Sequence, residues 1–408
     1  MEIKDFFPKI IILVSPVRVT SLPDGDIHEF TMILFDKCRK ILVFCLAGAL
    51  LLTGCSKEDD VKSRNFRMGF TPFPYEISTQ GVEYVYNKLE TEADIINHHF
   101  DNGVPWPEAL KGEDFDQKVI DDWTFRKSKA KPSHKTYVSV SPINFSRDGL
   151  AVYRGAEENM PLPAPWNSYS FNDEKVKTAY LNYCKRVIDF FHPDYFGMSI
   201  EANLLYVMNP QLWTDYLELH EYIYAQLKLL YPDLPVFTSV AGSPVLNGFL
   251  DSNSHDYVQQ RLAMMQLLQF SDYYAISFYP HLIYRGVPYP ENIFDELFSI
   301  SSKPLIVAET GYTAQNFSMD MGQGIFPIGT DPAKQQKFVD DLLAASEKWK
   351  AKFVIYFTVR DYDQLWAQIG SPVDINIAWR DSGLYDEAGN PRPALNTWRE
   401  YFKRKLED

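Results

Sequence analysis

The chain has 408 residues, 46% of them hydrophobic and 15% aromatic, with a formal net charge of −14 and a pI near 5.1. That acidity argues against nucleic acid as a partner, because phosphate binding needs clustered Lys and Arg. The length exceeds the usual single domain yet lies within the range that α/β barrels reach as one unit.

The N-terminal segment reads as an address. "DKCRKILVFCLAGALLLTGCSKEDD" places Lys37, Arg39 and Lys40 before an apolar run from Ile41 to Leu52, the n-region and h-region of a secretory signal, too short for a comfortable membrane span. The "LTGC" that closes it resembles the bacterial lipobox, which implies lipidation at Cys55 and attachment to a membrane there. The following "SKEDD" resembles the acidic signal that sends lipoproteins of the Bacteroidetes to the outer face of the outer membrane. Met32 is a natural start for such a signal, so residues 1–31 read as an upstream extension, 32–55 as the signal peptide, 56–64 as an acidic tether and 65–408 as one folded domain. Cys38, Cys45 and Cys55 sit in or beside this segment, and the remaining Cys184 cannot build a disulfide framework; it reads as a small buried residue of a helix.

From Asn65 onward eight strand-like runs alternate with helical patterns. In chain order the runs are "FRMGFTPF", "ADIINHHF", "KTYVSVSPIN", "YFGMSIEAN", "LPVFTSVAG", "YYAISFYPH", "PLIVAETGY" and "FVIYFTVRD". Between them, Asn172 is placed to cap a helix closed by His192 and Pro193. Leu212, Tyr216, Leu219, Ile223 and Leu227 recur at helical spacing up to Pro232, and Asp331 with Pro332 opens a third helix. Strands alternating with helices imply parallel pairing through right-handed crossovers, and eight such units imply a closed (β/α)8 barrel, an α/β fold whose functional side chains project from the carboxyl ends of the strands. The long connections 101–132 and 146–171, which carry Trp106, Trp166 and several prolines, are expected to shape a cleft.

Runs four and seven each reach a glutamate, Glu201 in "GMSIEANLL" and Glu309 in "VAETGYT". Two carboxyl groups facing one bond are what glycosidic cleavage requires: one protonates the leaving oxygen, while the other attacks or stabilises the sugar cation. A gap of about 5 Å gives retention and one of roughly 6.5–9.5 Å inversion. Tyr279, near the end of run six, is placed to donate a hydroxyl to Glu309. Further polar groups at strand ends are candidates for sugar contact: Asn97, His98, Asn144, Asn203, His281 and Arg360. Trp366 and Trp379 are candidate stacking platforms, since flat aromatic faces cover the apolar side of a pyranose. His98 and His99 are adjacent in a strand, so only one enters the mouth and a metal-binding pair is not expected. Asp361 and Asp363 in "RDYD" offer two carboxylates at a spacing too loose to specify calcium. No Gly-rich phosphate loop or metal-ligand motif is visible, so no metal or other cofactor is expected.

This layout resembles the clan A glycoside hydrolases, retaining enzymes on (β/α)8 barrels with the acid/base on strand four and the nucleophile on strand seven. The resemblance runs from Arg67 to about Trp398 and implies Glu201 as acid/base, Glu309 as nucleophile and Tyr279 as the aromatic that orients it. "SFYP", "VAETGY" and the tail "SGLYDEAGNPRPALNTW" look most like the family 53 arabinogalactan endo-β-1,4-galactanases. The clan places Asn before the acid/base glutamate, to bond the sugar 2-hydroxyl. Here Ile200 stands in that place, and Asn203 follows Glu201 by two residues. Two functions are therefore expected as alternatives. One is a monomeric surface lipoprotein that hydrolyses a polysaccharide, and the other a noncatalytic glycan-binding lipoprotein on a degenerate barrel.

Overall fold

The computed structural model describes residues 62–247, 256–320, 324–372 and 375–407. The proposed start at Met32, the signal sequence and Cys55 lie outside the described residues, as does most of the tether. Eight parallel strands close into a barrel: β1 (Arg67–Phe70), β2 (Ile95–Phe100), β3 (Lys135–Val140), β4 (Tyr195–Ser199), β5 (Val236–Ala241), β6 (Tyr274–Phe278), β7 (Leu305–Thr310) and β8 (Phe353–Tyr356). Each pairs with the next, and β8 pairs with both β7 and β1. The eight runs read from the sequence are these strands.

The helices that cover the barrel are α1 (Thr79–Glu92), α2 (Gln117–Lys129), α3 (Glu174–Phe191), α4 (Trp213–Leu230), α5 (Tyr257–Gln269), α6 (Ile293–Phe298), α7 (Pro332–Lys348) and α8 (Pro393–Phe402), with shorter helical turns in the connections. The chain thus folds as a (β/α)8 barrel. α4 buries Tyr216, Leu219, Ile223 and Leu227, the apolar period expected of it. α7 starts where Asp331 accepts from the Lys334 N–H, with Pro332 at its first position. α3 is capped by Asp173, one residue beyond the expected Asn172, whose own side-chain oxygen accepts from Ser170. The connection 101–132 is no open loop. It contains α2 and the short helix Trp106–Lys111, hidden from the sequence by the polarity of "QKVIDDWTFRKSK", of which only Val119, Asp122 and Trp123 are buried. Trp106 and Trp166 are buried and stack on each other with ring centroids 5.4 Å apart, away from the cavity at the barrel mouth. At the N-terminal edge, Ser63–Arg64 pairs with Lys405–Leu406, and Arg64 is buried against Asp94, so the last residues of the expected tether pack on the folded domain. Among the described residues no helix is long and apolar enough to cross a membrane.

Two apolar layers set the depth of the barrel mouth. Side chains facing the helices form the larger core. Inside the barrel, Ile95, Tyr137, Phe237, Ala275, Ile306, Ala308, Phe353 and Ile355 fill the lumen, with the Tyr137 ring 5.3 Å from both Phe237 and Phe353. Gly197 makes room for this plug, because a Cβ there would lie 2.9 Å from the Tyr137 hydroxyl. The lumen is therefore packed, and a ligand is left only the carboxyl end of the strands.

Candidate active site

A cavity of about 240 Å³ opens at that end, and Glu201, Glu309, Tyr279, His99, Asp101 and Arg147 all line it. Strand alternation brings some of these groups in. On β2, Ile95 belongs to the lumen plug, so Asn97 and His99 share its inward face, while Ile96, His98 and Phe100 face the helices. His99 is accordingly the histidine of the cavity. His98, the expected sugar contact, instead packs on Phe191 at 5.3 Å and is fully buried, and burial drives its pKa down to about 3.

Glu309 does not arrive by alternation. Ile306 and Ala308 face the lumen, which would turn residue 309 outward. The register shows an extra residue in β7 against both neighbours: Val307 and Glu309 pair with the consecutive Ile276 and Ser277, and Val307 and Thr310 with Val354 and Tyr356. This β-bulge re-aims Glu309 into the cavity, a recognised use of bulges beside functional sites. Glu201 follows β4, which also shifts register against β5, and adopts φ +45°, a left-handed conformation uncommon outside glycine. Its N–H is held by Ser239 Oγ at 2.9 Å.

Each glutamate has its own partners. Ser277 Oγ donates to Glu201 Oε1 at 2.6 Å, and Arg147 from the loop after β3 approaches Oε2 at 3.3 Å. Tyr279 donates its hydroxyl to Glu309 Oε1 at 2.6 Å, and His99 Nδ1 lies 3.6 Å from Oε2. Burial, foremost, pushes the Glu309 carboxyl above its ordinary pKa; the charges of Glu201 and Asp101 add to this, while His99 and the Tyr279 bond oppose it. For His99 burial disfavours the proton. The hydrogen bond and charge of Asp101, with the charges of Glu309 and Glu201, outweigh that and raise the imidazole to about 9.

The remaining candidates divide. Trp379 lines the cavity, its ring edge-on to Tyr279 at 5.6 Å. Asn203 does not: it is fully buried and exchanges two hydrogen bonds with Ala241, so it cannot replace the missing Asn before Glu201. Asn97 is sealed below the mouth between Thr71 and Ser139, each 3.4 Å away. Asn144 spends its amide on Asp148. His281 is buried, with Nε2 3.0 Å from the Ala378 carbonyl, and burial lowers it to about 4. Arg360 lies over the Tyr75 ring at 3.6 Å and donates to the Glu387 carbonyl, and Trp366 packs with Phe73, Tyr75 and Tyr362. Of the other lining residues, His99 was expected only as the alternative to its neighbour His98, and Arg147 and Asp101 were not anticipated. The length of the connections 101–132 and 146–171 was the available signal for two of them.

Asp363 and Asp381 join Asp361 in a carboxylate cluster whose oxygens lie within 4.8 Å of one another. Arg392 pairs with Asp361, and Arg380 with Asp381 at 2.8 Å and Asp363 at 3.3 Å, so two guanidinium groups already offset the charge.

No protein-family model matches the chain, and no curated protein matches its sequence. Solved structures do match. The GH53 catalytic domain of Ignisphaera aggregans is 19% identical with a TM-score of 0.50, covering 78% of this chain and 88% of its own. GH5_18 of Bifidobacterium longum subsp. longum is 13% identical with a TM-score of 0.57, covering 84% and 81%. An exo-β-1,4-mannosidase from an Opitutaceae bacterium is 11% identical with a TM-score of 0.55, covering 84% of this chain and 60% of its own. These neighbours are glycoside hydrolases, and at such identities the likeness establishes the (β/α)8 barrel they share with this chain.

Proposed function

We propose that the protein is a glycoside hydrolase that cleaves a polysaccharide or oligosaccharide by retaining double displacement. The observation that carries this reading is that Glu201 and Glu309 line one cavity and are each gripped by a hydroxyl from the same strand end, Ser277 and Tyr279. Glu309 attacks the anomeric carbon while Glu201 gives its proton to the departing oxygen. Glu201 then takes a proton from water, and the hydroxide releases the sugar from Glu309. Trp379 supplies an apolar face beside the reacting sugar.

The test is release of reducing ends from a panel of β-1,4-galactan, β-1,4-linked mannosides and glucans. The mannosides include Manβ1-4GlcNAc, with which a GH5_18 variant from Streptomyces cattleya forms a complex. Hydrolysis of at least one member with retained anomeric configuration, lost in Glu309→Gln, is expected. An endo-β-1,4-galactanase would favour the galactan. Ile200, which lines the cavity where an amide would bond the sugar, supports a second reading as a noncatalytic glycan-binding protein. That reading predicts affinity for a panel member without released ends.

Attachment to the outer membrane through a lipid on Cys55 completes the proposal, with the barrel displayed at the cell surface. Incorporation of a palmitate analogue by the native chain, and none by Cys55→Ala, is the expected result.

A further inference from the structure

Both nitrogens of the His99 ring face a carboxylate. Nε2 lies 3.7 Å from Asp101 Oδ2, and Nδ1 lies 3.6 Å from Glu309 Oε2. A neutral imidazole has one N–H and one lone pair, so it can satisfy only one of two such acceptors; the doubly protonated ring offers a proton to each. Ser139 Oγ, 3.3 Å from Nδ1, fixes the ring from β3. Asp101 is next on the inward face of β2 after His99 and stands at the rim with its side chain half exposed. The other charged or titratable groups around this row are Glu201 after β4, Arg147 from the loop after β3, Tyr279 after β6, bonded to Glu309, and the buried Tyr137 of β3 in the lumen below.

A carboxylate that must attack carbon has to be ionised, yet Glu309 sits where burial favours its protonated form. Among the described residues its ion-pair partner is His99, while Arg147 is taken up by Glu201. We propose that His99 and Asp101 are positioning residues of the reaction: Asp101 holds a proton on His99, and the imidazolium so formed keeps the Glu309 carboxylate ionised and aimed into the cavity. No proton or electron leaves the row during turnover. Its work is to bias the resting state of Glu309.

The proposal rests on the glycosidase reading for its kinetic consequence and not for its charge relation, so the experiment has two arms. The first needs no glycan. The imidazole C–H resonance of His99, assigned by its loss in His99→Asn, is titrated by NMR in the full chain. A midpoint near 9 is expected, falling by at least about one unit, a tenfold change in proton affinity, in Asp101→Asn and in Glu309→Gln. The second arm follows kcat and KM against pH on whichever panel glycan is cleaved. Asp101→Asn and His99→Asn should lower kcat at neutral pH by about tenfold or more with KM little changed, and should move the acid limb of kcat/KM upward. His99→Lys, which keeps a cation there, should recover part of the loss. A His99 midpoint near 6.5 in the native chain overturns the proposal, as does an unmoved acid limb in folded Asp101→Asn and His99→Asn. If no glycan is cleaved, the glycosidase reading fails while the titration still decides whether Asp101 and Glu309 hold the proton on His99.

Discussion

Ser277 and Tyr279 stand two residues apart at the end of β6, and each hydroxyl is 2.6 Å from a different glutamate, Ser277 from Glu201 and Tyr279 from Glu309. Side chains at i and i+2 of a strand share a face and are separated by roughly 6.5 Å along it. One strand end therefore sets the spacing of two carboxyl groups contributed by β4 and β7. Neither glutamate can shift without breaking a bond to this common support.

Removing the Tyr279 hydroxyl should harm the reaction more than binding. A hydrogen bond to a charged group contributes about 1.5–3 kcal/mol, which corresponds to roughly a 10- to 150-fold loss of rate if it operates only in the transition state. Tyr279→Phe is expected to lower kcat in that range while KM changes little. Steady-state kinetics on a cleaved glycan, beside a circular dichroism check of folding, reads this directly.

Ser277 and Arg147 hold opposite oxygens of Glu201, so their removal should not be additive. Ser277→Ala and Arg147→Ala are each expected to slow cleavage of natural glycosides and to spare aryl glycosides whose leaving group needs no proton. The double variant should lose less than the product of the two single losses. A double-mutant cycle on kcat/KM for both substrate types provides the measurement.

His98 makes the fold sensitive to acid. Its folded pKa is about 3 against an unfolded value of 6.5, because burial disfavours the charged ring and the positive charge of Arg126 adds to this. Below pH 6.5 the unfolded chain takes up a proton that the folded chain refuses. Stability is therefore complete above 6.5 and declines as pH falls toward 3, by about 1.4 kcal/mol per pH unit. His220 and His281, both lowered to about 4 by burial, act in the same direction. In urea titrations between pH 7 and pH 4, His98→Leu should show a shallower loss of stability than the native chain, by roughly 3 kcal/mol at pH 4.

The Asp361, Asp363 and Asp381 cluster should be indifferent to chelation, because Arg380 and Arg392 already supply its counter-charge. Thermal unfolding with and without EDTA is expected to coincide. Arg392→Met, which leaves the buried Asp361 uncompensated, should cost about 3–5 kcal/mol in chemical denaturation.

Periodicity and strand-end chemistry carried a long way. The eight apolar runs and the helical period of α4 mark the barrel, because a strand covered on both faces must be apolar along its length. Glu201 and Glu309 stand out for the same reason, as carboxyl groups that interrupt such runs where a strand meets the mouth. What linear sequence cannot carry is phase. A strand buried on both sides gives no sign of which residues face the lumen, and so the sequence could not choose between His98 and His99.

By itself, then, the sequence determined the closed eight-stranded barrel and the two glutamates at the ends of its fourth and seventh strands. Tertiary structure alone decided which side chains reach the cavity. The bulge in β7 that turns Glu309 inward exists only against its neighbours' register, and Asn203, His281 and Arg360 are lost from the mouth to partners distant in the chain. Arg147 and His99 gain their meaning from Glu201 and Glu309 on other strands, and Asp101 gains its own through His99, since a charge has no sequence signature until the fold supplies its counterpart.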